Sequence, residues 1–243
     1  MNDNSVTEYQ HVRNIVIVRH GQTPANAAGR TGRFFNTAGD IALLAGRPDH
    51  ELPLTEKGRE QARFIGRLIR ERWEFGQFNY YYDSGYRRAI ETLDLVLEAF
   101  PETERAEGKR RSHLDLRERD AGYPYALTVH EGRNLFPWWE RYELLVGPVY
   151  ARPPGGESIA DAWQRVHIFL NSVRRARAGK DVLLVTHGRL MVGFKYWLEK
   201  TPARDIDRLF AECKDINNGE AWWYQRDPTD TRYDFKGKLV PGE

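Results

Sequence analysis

The sequence is poor in cysteine and has no long hydrophobic run. Its 243 residues include one cysteine, Cys213, which excludes an internal disulfide framework and a cysteine-based zinc cluster. No apolar stretch approaches the roughly 20 residues that span a bilayer. The first residues have neither the basic start nor the apolar core of a signal peptide. These absences predict a soluble, cytoplasmic protein with no membrane partner.

The sequence also lacks a charge imbalance. Lys and Arg together number 37 and Asp and Glu 35, which leaves a formal net charge of +2. Nucleic-acid binding relies on an excess of cations, whereas these arginines alternate with acidic residues, as on a solvated helix face. We therefore expect no nucleic-acid partner. The length suits one sizeable α/β domain or two small ones.

Strand-like and helix-like segments alternate along the chain. Residues 14–18 and 181–186 are short apolar runs rich in β-branched residues, which is typical of strands buried on both faces. Residues 78–82 are rich in aromatic residues and are predicted to form a third strand. Apolar residues recur at helical spacing after Thr55 and after Ser158. Residues 86–100 and 188–200 are also predicted helices. The alternation predicts an α/β fold, with a mainly parallel central sheet covered by helices on both faces.

The regular alternation of strands and helices does not cover the whole chain, and the regions outside it indicate how the chain is organised. We predict a single domain with a core at about residues 13–225. An excursion at about 119–157 breaks the rhythm and is expected to form a small cap of loops and helices over one sheet edge. The polar ends, 1–11 and 227–243, are predicted to be poorly ordered tails.

Two of the predicted strands end in a His-Gly pair. Arg19-His20-Gly21 follows the first strand, and His187-Gly188 follows the strand at 181–186. Ligands of parallel sheets bind at the carboxyl ends of the strands, and Arg19 offers a planar fork for phosphate or carboxylate. The arrangement indicates a binding site, although two histidines that merely end buried strands remain an alternative at this point.

Several motifs carry a resemblance to a known family. Arg19-His20-Gly21-Gln22-Thr23, with Asn26, resembles the signature of the histidine phosphatase superfamily, the phosphoglycerate-mutase-like proteins. Further segments resemble other blocks of that family in the same order: 54–62, 84–92, 116–120, 155–158 and 185–188. The resemblance implies a phosphoglycerate-mutase-like fold over the whole domain.

The resemblance also implies roles for individual residues. His20 matches a nucleophile that becomes phosphohistidine. Arg19, Arg88 and His187 match groups that surround the phosphoryl oxygens. Glu118 matches the acid that protonates the leaving oxygen and then activates water. Asn26 and Gly188 match further phosphate contacts. The resemblance implies no cofactor and no metal.

Some of these assignments have rivals in the sequence. Arg87 competes with its neighbour Arg88, and the register of the motif favours Arg88. Asp120 and Glu131 are alternatives to Glu118. Glu157 is expected to order a turn and a helix start rather than to act on substrate. His130 lies in the excursion and is the remaining histidine that is placed to reach a ligand there.

The sequence departs from the family in two regions. An extra loop at about 27–50 takes the place of a shorter loop in the family. We expect it to be a lid, a dimer contact in a possible homodimer, or a surface decoration. The aromatic residues of the excursion form either an apolar wall for a leaving group or the packing core of the cap. They are Phe136, Pro137, Trp138, Trp139 and Tyr142.

Hydrolysis is favoured over phosphoryl shuttling. No paired basic cluster follows the acidic loop, Arg133 and Arg141 stand apart among aromatic residues, and the excursion is modest in length. We therefore predict a metal-independent phosphatase (a phosphoric monoester hydrolase) acting on a small organic phosphate. The alternatives are a cofactor-dependent phosphoglycerate-mutase-type transfer and a non-catalytic phospho-ligand docking module on the same fold.

Overall fold

The structure is a computed structural model of the chain. It describes residues 11–174, 176–212, 216–226 and 232–241. Cys213 and most of the predicted N-terminal tail lie outside the described residues.

A six-stranded sheet forms the centre of the described chain, in the spatial order β5-β4-β6-β1-β7-β8. A separate two-stranded ribbon pairs β2 with β3. The strands are β1 Asn14–Arg19, β2 Arg30–Thr31, β3 Phe34–Phe35, β4 Tyr80–Asp83, β5 Lys109–Ser112, β6 Asp181–Thr186, β7 Ala221–Arg226 and β8 Tyr233–Leu239.

The sheet is mostly parallel. The neighbouring strands β5, β4, β6 and β1 run in one direction, with Ile15 beside Val182 in the register of β1 and β6. The strands β7 and β8 continue the sheet on the other side of β1 in antiparallel pairings. The parallel strands therefore all end at one edge of the sheet, as the sequence predicted.

Helices alternate with these strands along the chain, and short 3₁₀ turns occur at 49–51, 114–116, 123–126 and 203–205. The helices are α1 Pro24–Ala27, α2 Ala38–Ala42, α3 Glu56–Arg72, α4 Arg87–Leu97, α5 Glu102–Glu107, α6 Val129–Leu135, α7 Trp139–Val146, α8 Ile159–Arg174, α9 Gly188–Leu198 and α10 Ile206–Glu212.

Two hydrophobic cores lie on opposite faces of the sheet. Ile15 and Ile17 point toward a core that contains the buried faces of α8 and α9. Val16 and Val18 point to the other face, where α3 and α4 pack. This alternation is the two-residue period of a strand buried on both sides. The prediction of helices on both faces is confirmed.

Local capping interactions fix the starts of two predicted helices. The Thr55 hydroxyl accepts a hydrogen bond from the Gly58 amide at 3.1 Å and begins α3. The Ser158 hydroxyl accepts from the Asp161 amide at 3.1 Å, and the Asp161 carboxylate accepts from the Ser158 amide at 2.8 Å. This reciprocal pair is a capping box, and it sets where α8 begins.

The extra loop and the excursion pack together into one cap. Phe35 of the extra loop is fully buried and forms an isolated bridge with Thr128 of the excursion. Tyr125 packs against the same small cluster, which also contains Leu44. A side chain at Gly132 would collide with the ring of Phe34. We use "the cap" below for residues 27–50 and 119–157 together.

The prediction of a C-terminal tail is wrong over part of its length. Residues 233–239 form β8, the edge strand beside β7. Tyr233 is buried, while Asp234, Phe235 and Lys236 are exposed. An edge strand needs little apolar surface and often carries charged residues, so its composition looks like that of a tail. In the described residues, no helix is long and apolar enough to cross a membrane.

Candidate active site

A cavity of about 670 Å³ opens where β1 and β4 end. Five residues predicted to act on phosphate or substrate line it: Arg19, His20, Asn26, Arg88 and Glu118. The other two lie just behind its wall. His187 is fully buried against His20, with the ring centroids 4.9 Å apart. Gly188 lies beneath Arg19, where an added Cβ would be 3.3 Å from the Arg19 Nε atom.

His20 is held in a defined orientation by its own loop. Its Nδ1 atom is 2.7 Å from the carbonyl oxygen of Gly21. Because a carbonyl only accepts, Nδ1 carries the proton and donates, and the neutral ring then has its free lone pair on Nε2. Burial is the main cause that lowers the pKa of His20 well below 6.5, and the cations Arg88 and Arg19 add to it. His20 is therefore neutral at pH 7 and has the protonation state that a nucleophile requires.

His187 is fixed by a hydroxyl on the neighbouring strand end. Its Nε2 atom is 2.9 Å from the Oγ atom of Ser84, which directly follows β4. The Ser84 oxygen also accepts from the Tyr86 amide at 3.3 Å. Burial, followed by the charge of Arg88 and by His20, lowers the pKa of His187 well below 6.5. If the Ser84 hydroxyl donates to Nε2, then Nδ1 of His187 carries the proton, and Nδ1 has no partner in the described part of the chain.

Arg19 is anchored through one arm of its guanidinium. Its Nη1 atom donates to the carbonyl oxygen of Ile216. Its Nε atom is buried and has no hydrogen-bond partner among the residues that the structure describes. Burial is the main cause that lowers the pKa of Arg19. A buried cation with an unused donor beside a nucleophilic imidazole is suited to an anionic group.

Arg88 lines the cavity and is paired with a carboxylate from the cap. Its Nη2 atom is 3.0 Å from Oδ2 of Asp49, and its Nη1 atom is 3.3 Å from Oδ1. Asp49 also accepts from the Tyr125 hydroxyl at 2.7 Å, and burial followed by Asp49 raises the pKa of Tyr125. Arg87, the rival assignment, is exposed and donates to Glu91 at 2.7 Å.

Glu118 reaches the cavity from a loop that other side chains hold in place. Its Oε1 atom accepts from the Arg119 amide at 2.7 Å. Arg165 donates through Nη1 to the carbonyl oxygens of Asp115 and Arg117, at 2.9 and 3.0 Å. Glu157 holds the Arg165 guanidinium in turn, at 2.9 and 2.8 Å. Glu157 therefore orders the turn, as predicted from the sequence.

Asn26 lies on the rim of the cavity. Its Oδ1 atom accepts from the backbone and hydroxyl of Thr23, at 3.2 and 3.0 Å, and from Asn218 at 3.2 Å. Since the oxygen is fully used, the Nδ2 donor is the part of the side chain that is available to a bound group. Asn218 was not predicted, because its contact spans almost the whole chain.

The rival acids and the histidine of the excursion have different positions. Asp120 lines the cavity beside Glu118. Glu131 accepts from the Thr128 amide at 2.8 Å in the capping box of α6 and does not line the cavity. His130 is exposed and contacts Asn134 at 3.0 Å. Of the predicted alternatives to Glu118, Asp120 alone shares the cavity.

The apolar-wall interpretation of the excursion is wrong. None of its five aromatic and proline residues lines the cavity in the described chain. Trp139 is 3% exposed and packs within the cap, while Trp138 is 41% exposed at the surface. The packing alternative is supported by Trp139, the first residue of α7, which is buried within the cap. Tyr86, Tyr125 and Phe210 supply the aromatic lining instead.

The cavity contains a basic cluster that the sequence did not predict. Besides Arg19 and Arg88, it is lined by Arg30, Arg33, Arg119 and Arg189. These four arginines come from the extra loop, the acidic loop and the start of α9. Arg119 lies in the family-like segment 116–120, but no single motif contains the cluster. The absence of a paired cluster after the acidic loop therefore does not argue against a mutase. The available signal was a pair of arginines, Arg30 and Arg33, three positions apart in a loop with no other explanation.

Within the described residues, no group of three or more His, Cys, Asp or Glu side chains is arranged to hold a metal ion. The cationic groups at the cavity are the arginine side chains.

Similarity to known proteins was found along most of the chain. The family model for the histidine phosphatase superfamily (branch 1) matches residues 15–217. A 2,3-bisphosphoglycerate-dependent phosphoglycerate mutase 1 of Latilactobacillus sakei is 30% identical, over 94% of this chain and 95% of its own. The phosphoglycerate mutase-like protein AT74H of Arabidopsis thaliana is 32% identical, over 83% of this chain and 72% of its own.

Solved structures share the fold at lower identity. The Bacillus stearothermophilus protein YhfR aligns with a TM-score of 0.67 and 23% identity, over 95% of this chain and 96% of its own. A mycobacterial glucosyl-3-phosphoglycerate phosphatase aligns with a TM-score of 0.63 and 24% identity, over 93% of this chain and 98% of its own. Proteins named as mutases and proteins named as phosphatases thus both resemble this chain.

Proposed function

This chain belongs to the histidine phosphatase superfamily, and from that premise we propose that it is a metal-independent phosphomonoester hydrolase that works through phosphohistidine. The observation that carries the proposal is the state of His20. The Gly21 carbonyl fixes the proton on Nδ1, which leaves the Nε2 lone pair for attack. Arg19 and Arg88 line the same cavity as counter-charges for a phosphoryl group.

The proposed reaction has two steps. In the first, Nε2 of His20 attacks phosphorus, the bond from phosphorus to the ester oxygen breaks, and the Glu118 carboxyl gives its proton to the departing oxygen. In the second, water attacks the phosphohistidine while the Glu118 carboxylate takes a proton from it. The N–P bond breaks, and inorganic phosphate and neutral His20 result. Each step leaves Glu118 in the protonation state that the next one needs.

Access of water to the cavity supports hydrolysis. Asn26, Gly32 and Asp120 line the cavity and are exposed to solvent. Glu118 is partly exposed beside them. A transferase must instead keep water away from its phosphohistidine. We therefore propose water, rather than a second substrate, as the usual acceptor of the phosphoryl group.

A mutase is the second candidate, and the arginines of the cap favour it. Arg30, Arg33 and Arg119 line the cavity at positions suited to a second anionic group of a substrate. The relative from Latilactobacillus sakei is named as a bisphosphoglycerate-dependent mutase. On this alternative, the phosphoryl group of His20 returns to another oxygen of the same substrate rather than to water.

Phosphate release in the presence of EDTA tests the proposal. Wild type, His20→Ala and the control His130→Asn are assayed on a small aromatic phosphate and on a panel of metabolite monoesters. We expect turnover in wild type and in the control and its loss in His20→Ala. Acid-labile ³²P on the protein, present in wild type and absent in His20→Ala, would identify the intermediate.

The other outcomes separate the alternatives. Turnover that survives in His20→Ala contradicts the phosphohistidine mechanism. Isomerisation of 3-phosphoglycerate that depends on 2,3-bisphosphoglycerate, with little phosphate release, supports the mutase. Binding of phosphomonoesters with neither activity supports the docking module.

A further inference from the structure

The hydroxyl group of Tyr86 lies at the cavity and has no role in the reaction proposed above. Tyr86 lines the cavity together with Arg88 and Glu118, and it is only partly exposed. Its hydroxyl makes no hydrogen bond with the residues that the structure describes. The Tyr125 hydroxyl, in the same cavity, instead donates to Asp49 at 2.7 Å. Tyr86 therefore has a hydrogen-bond donor that is available to a bound substrate.

Contacts on the ring and on the backbone hold Tyr86 in place. The ring centroid is 5.2 Å from that of His187, in an edge-on arrangement at 70°. The guanidinium carbon of Arg88 is 4.7 Å from the centre of the Tyr86 ring, as in a cation–π contact. The Tyr86 amide donates to the Ser84 hydroxyl at 3.3 Å, and its carbonyl accepts from the Ala89 amide at 2.9 Å. The ring therefore lies beside two groups that the mechanism assigns to the phosphoryl oxygens.

The Tyr86 hydroxyl is within electrostatic reach of Glu118. Burial is the main cause that raises the pKa of Tyr86, and the carboxylates Asp49 and Glu118 raise it further. Arg88 and Arg117 act in the opposite direction without cancelling the shift. The phenol therefore keeps its proton at neutral pH and is a donor. Because Glu118 must reach the leaving oxygen to protonate it, a donor close to Glu118 can reach the same oxygen.

We propose that Tyr86 is a further catalytic residue, whose hydroxyl donates a hydrogen bond to the ester oxygen that leaves phosphorus in the first step. The inference rests on the proposed function and adds a second donor to the oxygen that Glu118 protonates. Negative charge develops on this oxygen as its bond to phosphorus breaks. A donor fixed in the cavity stabilises that charge more than it stabilises the ester oxygen of the bound substrate. Tyr86 keeps its own proton, since a phenol is a far weaker acid than a carboxyl group.

Two aromatic monoesters with different leaving groups test the role of the hydroxyl. 4-Nitrophenolate leaves readily, whereas phenolate is a stronger base and needs more stabilisation as it leaves. Tyr86→Phe keeps the ring and removes only the hydroxyl. We expect it to lower kcat/KM for phenyl phosphate by about tenfold or more, as for the loss of a hydrogen bond to a charged group. For 4-nitrophenyl phosphate, we expect a decrease of less than about threefold, because little charge remains to be stabilised.

Inorganic phosphate and a second tyrosine provide the controls. Phosphate has no leaving group, so its inhibition constant should be the same for Tyr86→Phe and wild type. Tyr123→Phe is the matched control variant, because Tyr123 is 74% exposed and does not line the cavity. It should leave kcat/KM unchanged for both esters. Glu118→Gln is the positive reference, and it should also reduce kcat/KM more for phenyl phosphate than for 4-nitrophenyl phosphate.

The failure of this proposal differs from the failure of the proposed function. Equal decreases for the two esters in Tyr86→Phe, or no decrease for either, overturn the role of the hydroxyl while the hydrolase stands. If only metabolite monoesters are turned over, their alkoxides are more basic still. Tyr86→Phe must then lower kcat/KM at an unchanged phosphate inhibition constant, and any other result overturns the role. If wild type hydrolyses no monoester, the hydrolase fails and the role of Tyr86 fails with it.

Discussion

Asp49 forms an ion pair with Arg88, which the proposed mechanism assigns to the phosphoryl group. Its carboxylate meets Arg88 through both oxygens, in the two-point geometry that a phosphate would use. Arg88 is 4% exposed, so it has little freedom to bind both partners at once. A phosphoryl group entering the cavity must therefore compete with Asp49 for this guanidinium.

Removing the charge of Asp49 should strengthen phosphate binding. In Asp49→Asn the amide is a weaker partner for Arg88 than the carboxylate, so less free energy is spent on displacing it. We expect the inhibition constant of inorganic phosphate to fall about tenfold, which corresponds to one charge-assisted hydrogen bond of about 1.4 kcal/mol. Competitive inhibition of ester hydrolysis measures the constant.

A neighbouring acid provides the control for Asp49. Glu51 lies in the same 3₁₀ turn, is 60% exposed and does not line the cavity. Glu51→Gln should leave phosphate inhibition at the wild-type value. An unchanged inhibition constant in Asp49→Asn would contradict the competition, and a larger one would show that Asp49 supports phosphate binding.

The residues of the site differ in how far the sequence could predict them. Arg19 ends the recognisable strand β1, and His20 and His187 directly follow β1 and β6, so the pairing of these two strands brings the three residues together. Asp49 and Arg30 have no such anchor, because their contacts depend on how the extra loop folds back over the cavity. The pairing of Arg88 with Asp49 crosses that loop and leaves no local pattern in the sequence.

Among the secondary-structure elements near the site, the loop after β1 packs very closely against the start of α3. A Cβ atom at Gly58 would lie 2.2 Å from the Gln22 carbonyl oxygen, and one at Gly21 would lie 2.2 Å from the Gly58 carbonyl oxygen. These are contacts with backbone atoms, which cannot rotate away. The loop that holds His20 therefore depends on two facing glycines.

Enlarging Gly58 should displace this loop. We expect Gly58→Ala to lower kcat/KM more than tenfold and to cost roughly 1–3 kcal/mol of stability through overpacking. Gly39→Ala is the control, because its Cβ would meet only the Thr37 hydroxyl at 3.5 Å, in α2. That change should leave activity unchanged and stability equal or slightly higher. Steady-state kinetics and urea unfolding measure both effects, and full activity in Gly58→Ala would contradict the tight contact.

The cap is the element that sequence patterns predicted least well. Its two segments are separated in sequence by β4, β5 and the helices α3, α4 and α5, yet Phe35, Tyr125 and Leu44 share one small core. The aromatic residues of the excursion suggested a packing core within that segment, but no sequence pattern indicated that the extra loop would share a core with it. The extra loop is therefore a structural part of the cavity wall, which none of its three predicted roles stated.

At the scale of the whole molecule, local composition predicted the central strands of the sheet but not the strands at its two edges. Strands β1 and β6 are buried on both faces, and their apolar runs are distinctive. Strand β5 has the sequence Lys-Arg-Arg-Ser, and all four residues are exposed. It is a strand because β4 offers it a free edge to pair with, and this is a tertiary cause that composition does not record.

The burial of two neutral histidines in one site has a consequence for the stability of the whole protein. The pKa values of His20 and His187 are lowered well below 6.5, first by burial and then by Arg88. In the unfolded chain both would titrate near 6.5. Below that pH the unfolded state binds more protons than the folded state, so the free energy of unfolding falls as the pH falls.

The free energy of unfolding should fall by up to about 1.4 kcal/mol per pH unit for each histidine, between pH 6.5 and the lowered pKa of that histidine in the folded protein. Urea unfolding of wild type at pH 7.5 and pH 5.5 measures it together with the contributions of other groups. His20→Asn and His187→Asn should each lose less stability over this interval than wild type, because each has one fewer buried imidazole to protonate on unfolding. His130→Asn, which removes an exposed histidine of the cap, should follow wild type. An equal loss in wild type and in both buried-site variants would mean that the imidazoles bind protons as readily in the folded protein as in the unfolded chain, which would contradict the lowered pKa values.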